Sequence, residues 1–416
     1  MPLAAFAKGR GVMHNSSLHD IPASELVQTA LYQALDMLNS RQVREFAVPP
    51  STLMGPGAVS RCGQALVDRG IERVFLMVDG GLHQAGMTQV LLRSLEQSGV
   101  AYEIWACPPG EPIDTDVHTA ATQLLQVRCD GVIALGGGSV LDAAKATALQ
   151  AANPTLNFAE LTPSSRLKRR LPLIAIPTTA GTGSEATNVS VIIAMPQHRK
   201  QVLVHAMLIP DMAIIDACLT LGVPPHITAA TGIDALTHAI EAYVAINVTA
   251  LTRALAYRAI TLIGQALPQA VGMGQDLAAR ESLMLASYMA GMAFSNAGLG
   301  LCHACAHQIG AAYGIPHGVA NAIMLPQVMD FNRLVCKRTF AEIGHALTRE
   351  TLDAADTIRA IAQLIEDVGL GGNLASYGGQ ESDYAEFARA ALQDVCIQSN
   401  PRIVTEAQIV ALYRGS

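Results

Sequence analysis

Aromatic residues make up only 4% of this 416-residue chain, with a single tryptophan, Trp105. So few rings exclude a surface that stacks nucleic-acid bases. Charge is sparse too: 15% of residues are Asp, Glu, Lys or Arg, the net charge is −7 and the pI is about 5.9. No basic face is available for a polyanionic partner. Eight cysteines lie scattered at 62, 107, 129, 218, 302, 305, 336 and 396, too thinly for a disulfide scaffold. Reduced thiols in a cytoplasmic compartment are the expectation. No apolar run approaches the ~18 residues of a membrane span. Lys8 and Arg10 are not followed by a continuous apolar segment, so no secretory signal is expected.

The most informative absence is local. Between Glu281 and Asp330 there is not one Asp, Glu, Lys or Arg, yet His303, His307 and His317 lie inside that stretch. Imidazole is the commonest protein metal ligand and a proton carrier near neutral pH. Upstream, Gly232-Ile-Asp-Ala-Leu-Thr-His-Ala-Ile-Glu241 carries Asp234 and His238. With about 100° per helical residue, an i, i+4 pair lies on one face, about 40° apart. Asp234/His238 and His303/His307 both have that relation. Two such pairs, with His317 after Ile315-Pro316, are five candidate groups that can converge on one ion. Glu241, on the Asp234 face, is either an outer partner or a buried acid. Cys302 and Cys305 point about 150° away from the two histidines of the same helix, which predicts packing residues rather than ligands. One carboxylate with several imidazoles suits Fe²⁺ or Zn²⁺ better than Mg²⁺ or Ca²⁺.

What remains is half hydrophobic and long enough for two domains. Ser24 caps a predicted amphipathic helix over 24–40, with Val27, Leu31, Ala34, Leu35 and Leu38 on one stripe. It either docks on its own domain or serves targeting or assembly. Residues 1–44 are therefore an N-terminal extension. From 45 to 224, short apolar runs alternate with helical patterns. Strands are expected at 74–78, 101–106, 131–135, 173–176 and 212–215, in a mostly parallel α/β sheet. From 225 to 416 the pattern is all-helical, with helices at 226–246, 249–268, 276–294, 299–313 and 318–331, and Pro224-Pro225 at the boundary.

Two loops follow strands at one sheet edge. Leu135-Gly-Gly-Gly-Ser139 precedes a helix whose N-terminus can meet a phosphate, although it is not a GxGxxG fingerprint and Ser139 with Asp142 has capping-box spacing. Pro177-Thr-Thr-Ala-Gly-Thr-Gly-Ser184 offers neutral hydrogen-bonding groups. Together they suit a dinucleotide. Asp79, ending a strand before Gly80-Gly81, is either a turn residue or a ribose-binding acid that favours NAD over NADP.

These motifs, continued by Gly300-Leu-Cys-His-Ala-Cys-Ala-His-Gln308 and Pro316-His-Gly-Val-Ala-Asn321, resemble the iron-containing alcohol dehydrogenase family over residues 45–416. Within it the chain is most similar to the ethanolamine-utilisation branch, a likeness that extends to the 24–40 helix and Val48-Pro-Pro50. The resemblance implies an N-terminal dinucleotide-binding α/β domain and a helical metal-binding domain of the dehydroquinate synthase-like kind. It places metal ligands at Asp234, His238, His303 and His317, and puts His307 near the nicotinamide as a catalytic proton relay. NAD contacts fall on Asp79, Gly137, Gly138, Ser139, Asp142, Thr178, Thr179, Thr182, Lys200 and Leu219. Glu111 departs from the Asn common in relatives and would repel phosphate.

The implied activity is metal- and NAD-dependent interconversion of small primary alcohols and aldehydes, with acetaldehyde reduction to ethanol as the physiological direction. Phe294 is a candidate wall of the alcohol pocket. A homodimer or larger homo-oligomer is implied, in the cytoplasm or inside a bacterial microcompartment whose shell the 24–40 helix would contact. The competing readings are a glycerol dehydrogenase-like polyol oxidoreductase and a catalytically silent assembly protein.

Overall fold

The computed structural model describes residues 43–196 and 199–416. The predicted helix at 24–40 lies outside the described residues. Residues 47–416 form one compact unit.

The chain begins with β1 (Thr52–Met54), α1 (Cys62–Val67) and β2 (Arg73–Asp79). It continues through α2 (Gly80–Gln84), α3 (Gln89–Gln97), β3 (Ala101–Cys107), α4 (Asp114–Gln126), β4 (Gly131–Gly136), α5 (Gly138–Ala152) and β5 (Leu173–Pro177). A hairpin, β6 (Val189–Ala194) with β7 (Arg199–Val204), precedes β8 (Met212–Ile215). Six strands form one sheet in the order β1-β8-β5-β4-β2-β3, and every neighbouring pair is parallel. Every residue of β4 and β5 is buried, as expected for strands covered on both faces. All five expected strands are present. The structure adds β1, three residues at the sheet edge, and the antiparallel β6–β7 pair, which stands apart from the main sheet.

The strand order places a switch point between β2 and β4. The chain leaving β2 crosses to β3 on one side, whereas the chain leaving β4 crosses to β5 on the other. Crevices at the carboxyl ends of such strands are where open α/β sheets bind ligands. Asp79 and Gly136 end the two strands concerned.

After β8 only helices follow: α6 (Pro225–Val244), α7 (Ala250–Gly272), α8 (Leu277–Ala297), α9 (Leu301–Tyr313), α10 (His317–Thr348), α11 (Ala354–Asp367), α12 (Tyr384–Ala391) and α13 (Glu406–Gly415). Pro225 opens α6, where a missing N–H costs nothing. Helix α6 packs against α7, α8 and α10, and every residue from Gly232 to Tyr243 is buried. A helix apolar on all sides belongs in a core, which makes Asp234, His238 and Glu241 the exceptions to explain. Helix α10 outruns its predicted end at 331. It carries Pro326 and bends at Cys336 (φ −112°, ψ 16°).

The loop after β5 ties the sheet to the helices. A Cβ on Gly181 would lie 2.6 Å from Thr231 Cβ of α6, and one on Gly183 only 2.7 Å from Gly291 Cα of α8. Gly183 also has φ +59°, a left-handed conformation that side chains disfavour. Gly183→Ala is therefore expected to lower unfolding free energy by at least ~1 kcal/mol from backbone strain alone, with crowding against α8 adding to it. Chemical denaturation checks this; an unchanged midpoint and slope would refute it.

Candidate metal and cofactor site

Four side chains from three helices converge in the helical core. Donor atoms of Asp234, His238, His303 and His317 all lie within 4.8 Å of one another. Asp234 Oδ1 is 3.8 Å from His238 Nε2, 3.7 Å from His303 Nε2 and 3.4 Å from His317 Nε2. Helix α6 supplies the first pair from one face, α9 supplies His303, and His317 is the first residue of α10 rather than part of a turn. His307 falls outside this group: its Nδ1 meets Asp394 Oδ2 at 2.8 Å, while its ring stacks on His317 with centroids 5.4 Å apart. Spacing left five candidates; the fold gathers four.

A second layer fixes the donors. Glu241 Oε2 accepts from His303 Nδ1 at 2.6 Å, and Glu241 Oε1 accepts from the Cys302 backbone N–H at 2.7 Å. Glu241 is thus the outer partner rather than an idle acid, and it turns His303 Nε2 toward Asp234. Such carboxylate–imidazole pairs orient metal ligands. Asn321, one turn after His317, donates from Nδ2 to Asp234 Oδ1 at 2.8 Å and lies 3.3 Å from both His303 Nε2 and His317 Nε2. Its spacing from His317 is i+4, a signal available in the sequence. Phe294 stacks on His238, centroids 4.4 Å apart. Cys302 and Cys305 are buried and free, as their helical angle predicts.

Protonation follows from this burial. Burial pushes the His238 imidazole down to about 4 and the His317 imidazole well below its usual value. Burial would raise the Asp234 carboxyl, but the imidazoles of His238, His317 and His303 outweigh it and hold it well below the usual range. For His303, burial opposes the charge, yet Glu241 and Asp234 outweigh it and raise the group to about 9. Without metal the cluster therefore carries two carboxylates and one imidazolium proton. The donor set fits a divalent cation: one carboxylate and three nitrogen donors, with the Glu241 charge behind, restore neutrality when that proton leaves.

The sheet offers a second site. A cavity of about 340 Å³ opens at the β2/β4 switch point, lined by Asp79, Gly137, Gly138 and Ser139 together with Trp105, Glu111, Asp116 and Thr147. Thr147 was not foreseen; its buried Oγ1 has no protein partner. Asp79 has the turn role, capping α2 by accepting from Leu82 N at 2.9 Å, and it also lines the cavity. The capping box of Ser139 and Asp142 does not form. The helix starts at Gly138 with Gly137 as its N-cap, which leaves Ser139 inside the first turn, and Asp142 instead accepts from Ser184 Oγ at 2.6 Å and Val191 N at 3.0 Å. Helix α5 thus starts with free N–H groups facing the cavity.

The remaining expected cofactor residues do not line this cavity. Thr178 N donates to Gly136 O at 3.0 Å, and a Cβ on Gly137 would stand 3.7 Å from Thr179 Oγ1. A Cβ on Gly138 would stand 2.7 Å from Thr182 Cγ2, so the two loops abut. Lys200 pairs with Glu111, and Leu219 is buried beneath the sheet.

Comparison with known proteins now fits this geometry. The profile of the iron-containing alcohol dehydrogenases matches residues 49–217, and that of the C-terminal region of the Fe-containing alcohol dehydrogenase family matches residues 228–416. The chain belongs to this family. It is 59% identical over 390 residues to a probable alcohol dehydrogenase, EutG, of Salmonella typhimurium, covering 94% of this chain and 99% of that protein. It is 37% identical to an NAD-dependent methanol dehydrogenase of Bacillus methanolicus, covering 89% and 99%. Among solved structures, a 1,3-propanediol oxidoreductase superposes with a TM-score of 0.87 at 36% identity, covering 90% of this chain and all of that one.

Metal uptake by the free protein must expel the His303 proton. Affinity for Fe²⁺ or Zn²⁺ is expected to rise with pH, by about tenfold per unit at most, and to level off above pH 9. Glu241→Gln removes one of the two carboxylates that raise His303, so levelling should come at lower pH. Metal titrations across pH read this directly; affinity flat from pH 6 to 9 would refute it.

Proposed function

We propose that this chain is a metal- and NAD-dependent alcohol dehydrogenase for small primary alcohols and aldehydes, reducing acetaldehyde to ethanol during ethanolamine breakdown. The observation that carries this reading is the four-donor cluster on helices joined by the loop after β5 to the glycine-rich switch point. Asp234, His238, His303 and His317 would hold the metal, and Glu241 keeps His303 aimed. When bound, the metal supplies Lewis acidity toward the substrate oxygen and the nicotinamide donates or accepts the hydride.

The chain's own residues do the rest. The free N–H groups at the start of α5, within Gly137-Gly138-Ser139, bind the pyrophosphate. Thr178, Thr179 and Thr182 extend that neutral cradle from the adjoining loop. Asp142 holds Ser184 in place, Leu219 packs below, and Lys200 stands at the rim. Asp79 accepts from ribose hydroxyls and repels a 2′-phosphate. His307, held through Nδ1 by Asp394, presents Nε2 to carry the proton of the alcohol oxygen. Phe294 closes an apolar side of the substrate space against His238.

Protein loaded with Fe²⁺ should oxidise NADH with acetaldehyde, and NADPH much more slowly. His303→Ala should lose both bound metal and turnover. Full turnover in metal-free protein would end this reading.

Residues 24–40 are proposed as a helix that directs a homodimer or larger assembly to a microcompartment shell, on the strength of the stripe Val27, Leu31, Ala34, Leu35 and Leu38. Fused to a fluorescent reporter, residues 1–40 should concentrate it into foci in cells that make microcompartments. A diffuse reporter would count against targeting.

A further inference from the structure

Beyond the first cluster, the described residues hold one more group of donors at ligand spacing: His307, Asp394 and Cys396, whose donor atoms lie within 4.8 Å of one another. They come from two rigid pieces. His307 is on α9; Asp394 caps the 3-10 turn Val395–Ser399, and Cys396 lies within it. Asp394 Oδ1 accepts from Cys396 N at 2.9 Å, which sets the turn, while Asp394 Oδ2 faces His307 Nδ1 at 2.8 Å. The His307 and Asp394 side chains are 18% and 11% exposed, so the group is sheltered but reachable.

The geometry points to a second cation site, for a thiophilic divalent ion such as Zn²⁺, built from His307, Asp394 and Cys396. The donor types decide the ion. An imidazole, a carboxylate and a thiolate together form a zinc set, and the thiolate sets this site apart from the sulfur-free first cluster. An open fourth position is left for water. Binding breaks the Cys396 S–H bond, forms a metal–sulfur bond and releases one proton to solvent, with no change of oxidation state. The His307 ring stacks on His317, so the two sites share a wall. The first therefore fills preferentially, since it offers four donors and a charge-balancing carboxylate, and the second fills only in excess zinc. This inference stands on the donor geometry and does not need the relay role given to His307.

Equilibrium dialysis of the metal-free full-length protein against excess Zn²⁺ tests it. The expected result is two equivalents bound by the parent chain and one by Cys396→Ser. His303→Ala, which damages the first site, should keep the equivalent that Cys396→Ser loses. With Co²⁺ in place of zinc, the second equivalent should bring a thiolate-to-cobalt charge-transfer band in the near ultraviolet, absent from Cys396→Ser. One equivalent or none in the parent chain, or two in both parent and Cys396→Ser, would overturn the proposal. A single equivalent in the parent chain leaves the first site and its turnover untouched, whereas none would sink both readings, so the two are told apart.

Discussion

Two buried carboxylates in a core without compensating basic side chains set the terms for the rest of this molecule. Asp234 and Glu241 stand on α6 with 3% and 4% exposure, and among the described residues their ion-pair partners are all imidazoles. A buried unpaired charge is costly, whereas a buried charge that is paired and hydrogen-bonded is not. The charge-free stretch from 282 to 329 means that α9 and the first part of α10 bring no lysine or arginine to the problem. One proton on His303 leaves the pair half-compensated; a divalent cation completes it. The same constraint that shapes the core therefore creates its appetite for metal.

The second requirement is that this core meet the dinucleotide cavity in a fixed relation. The loop after β5 does this with small residues. Gly138 and Thr182 bring it against the start of α5, Gly181 against Thr231 of α6, and Gly183 against Gly291 of α8. Thr231 lies three residues before Asp234, so the same helical turn touches the loop and begins the metal set. Asn188 and Ser295 add hydrogen bonds of 3.0 and 3.1 Å across the same junction. Contacts this close hold the loop, α5, α6 and α8 in one fixed arrangement.

What could be read in advance depended on how local the signal was. The five expected strands, four inner and the edge strand β3, are apolar runs cut by Gly, Pro or Asp, and they are present. The i, i+4 pairs on α6 and α9 announce themselves within a few residues. Three things carry no such local mark. His307 shares the spacing of a ligand; the family resemblance sets it apart, and the fold gives the physical reason, its Nδ1 held by Asp394, 87 residues away. The capping box of Ser139 and Asp142 fits the sequence but loses to Ser184 and Val191, partners 42 and 49 residues away. The β6–β7 hairpin and β1 owe their places to tertiary neighbours. Distant competition, rather than weak local propensity, is what sequence spacing could not resolve.

Glu111 is the residue in which these strands of reasoning meet. The cavity wall bears Asp79, Glu111 and Asp116, and among the described residues no lysine or arginine lines it. Lys200, the nearby cation expected to aid the cofactor, is instead paired with Glu111. That pair joins β7 to the segment leading into α4, beside hydrogen bonds donated by Ile193 N to Pro112 O (2.8 Å) and by Met195 N to the Asp114 side chain at Oδ2 (3.1 Å). The hairpin is thereby pinned over the cavity at the cost of a free positive charge. Attraction for phosphate must then come from the backbone N–H groups at the start of α5 and from the dipole of that helix. Such dipoles hold a pyrophosphate without favouring an additional phosphate, while the acidic wall opposes one. On the proposed function, selection of NAD over NADP would follow from the lack of cations in this wall as much as from Asp79 itself.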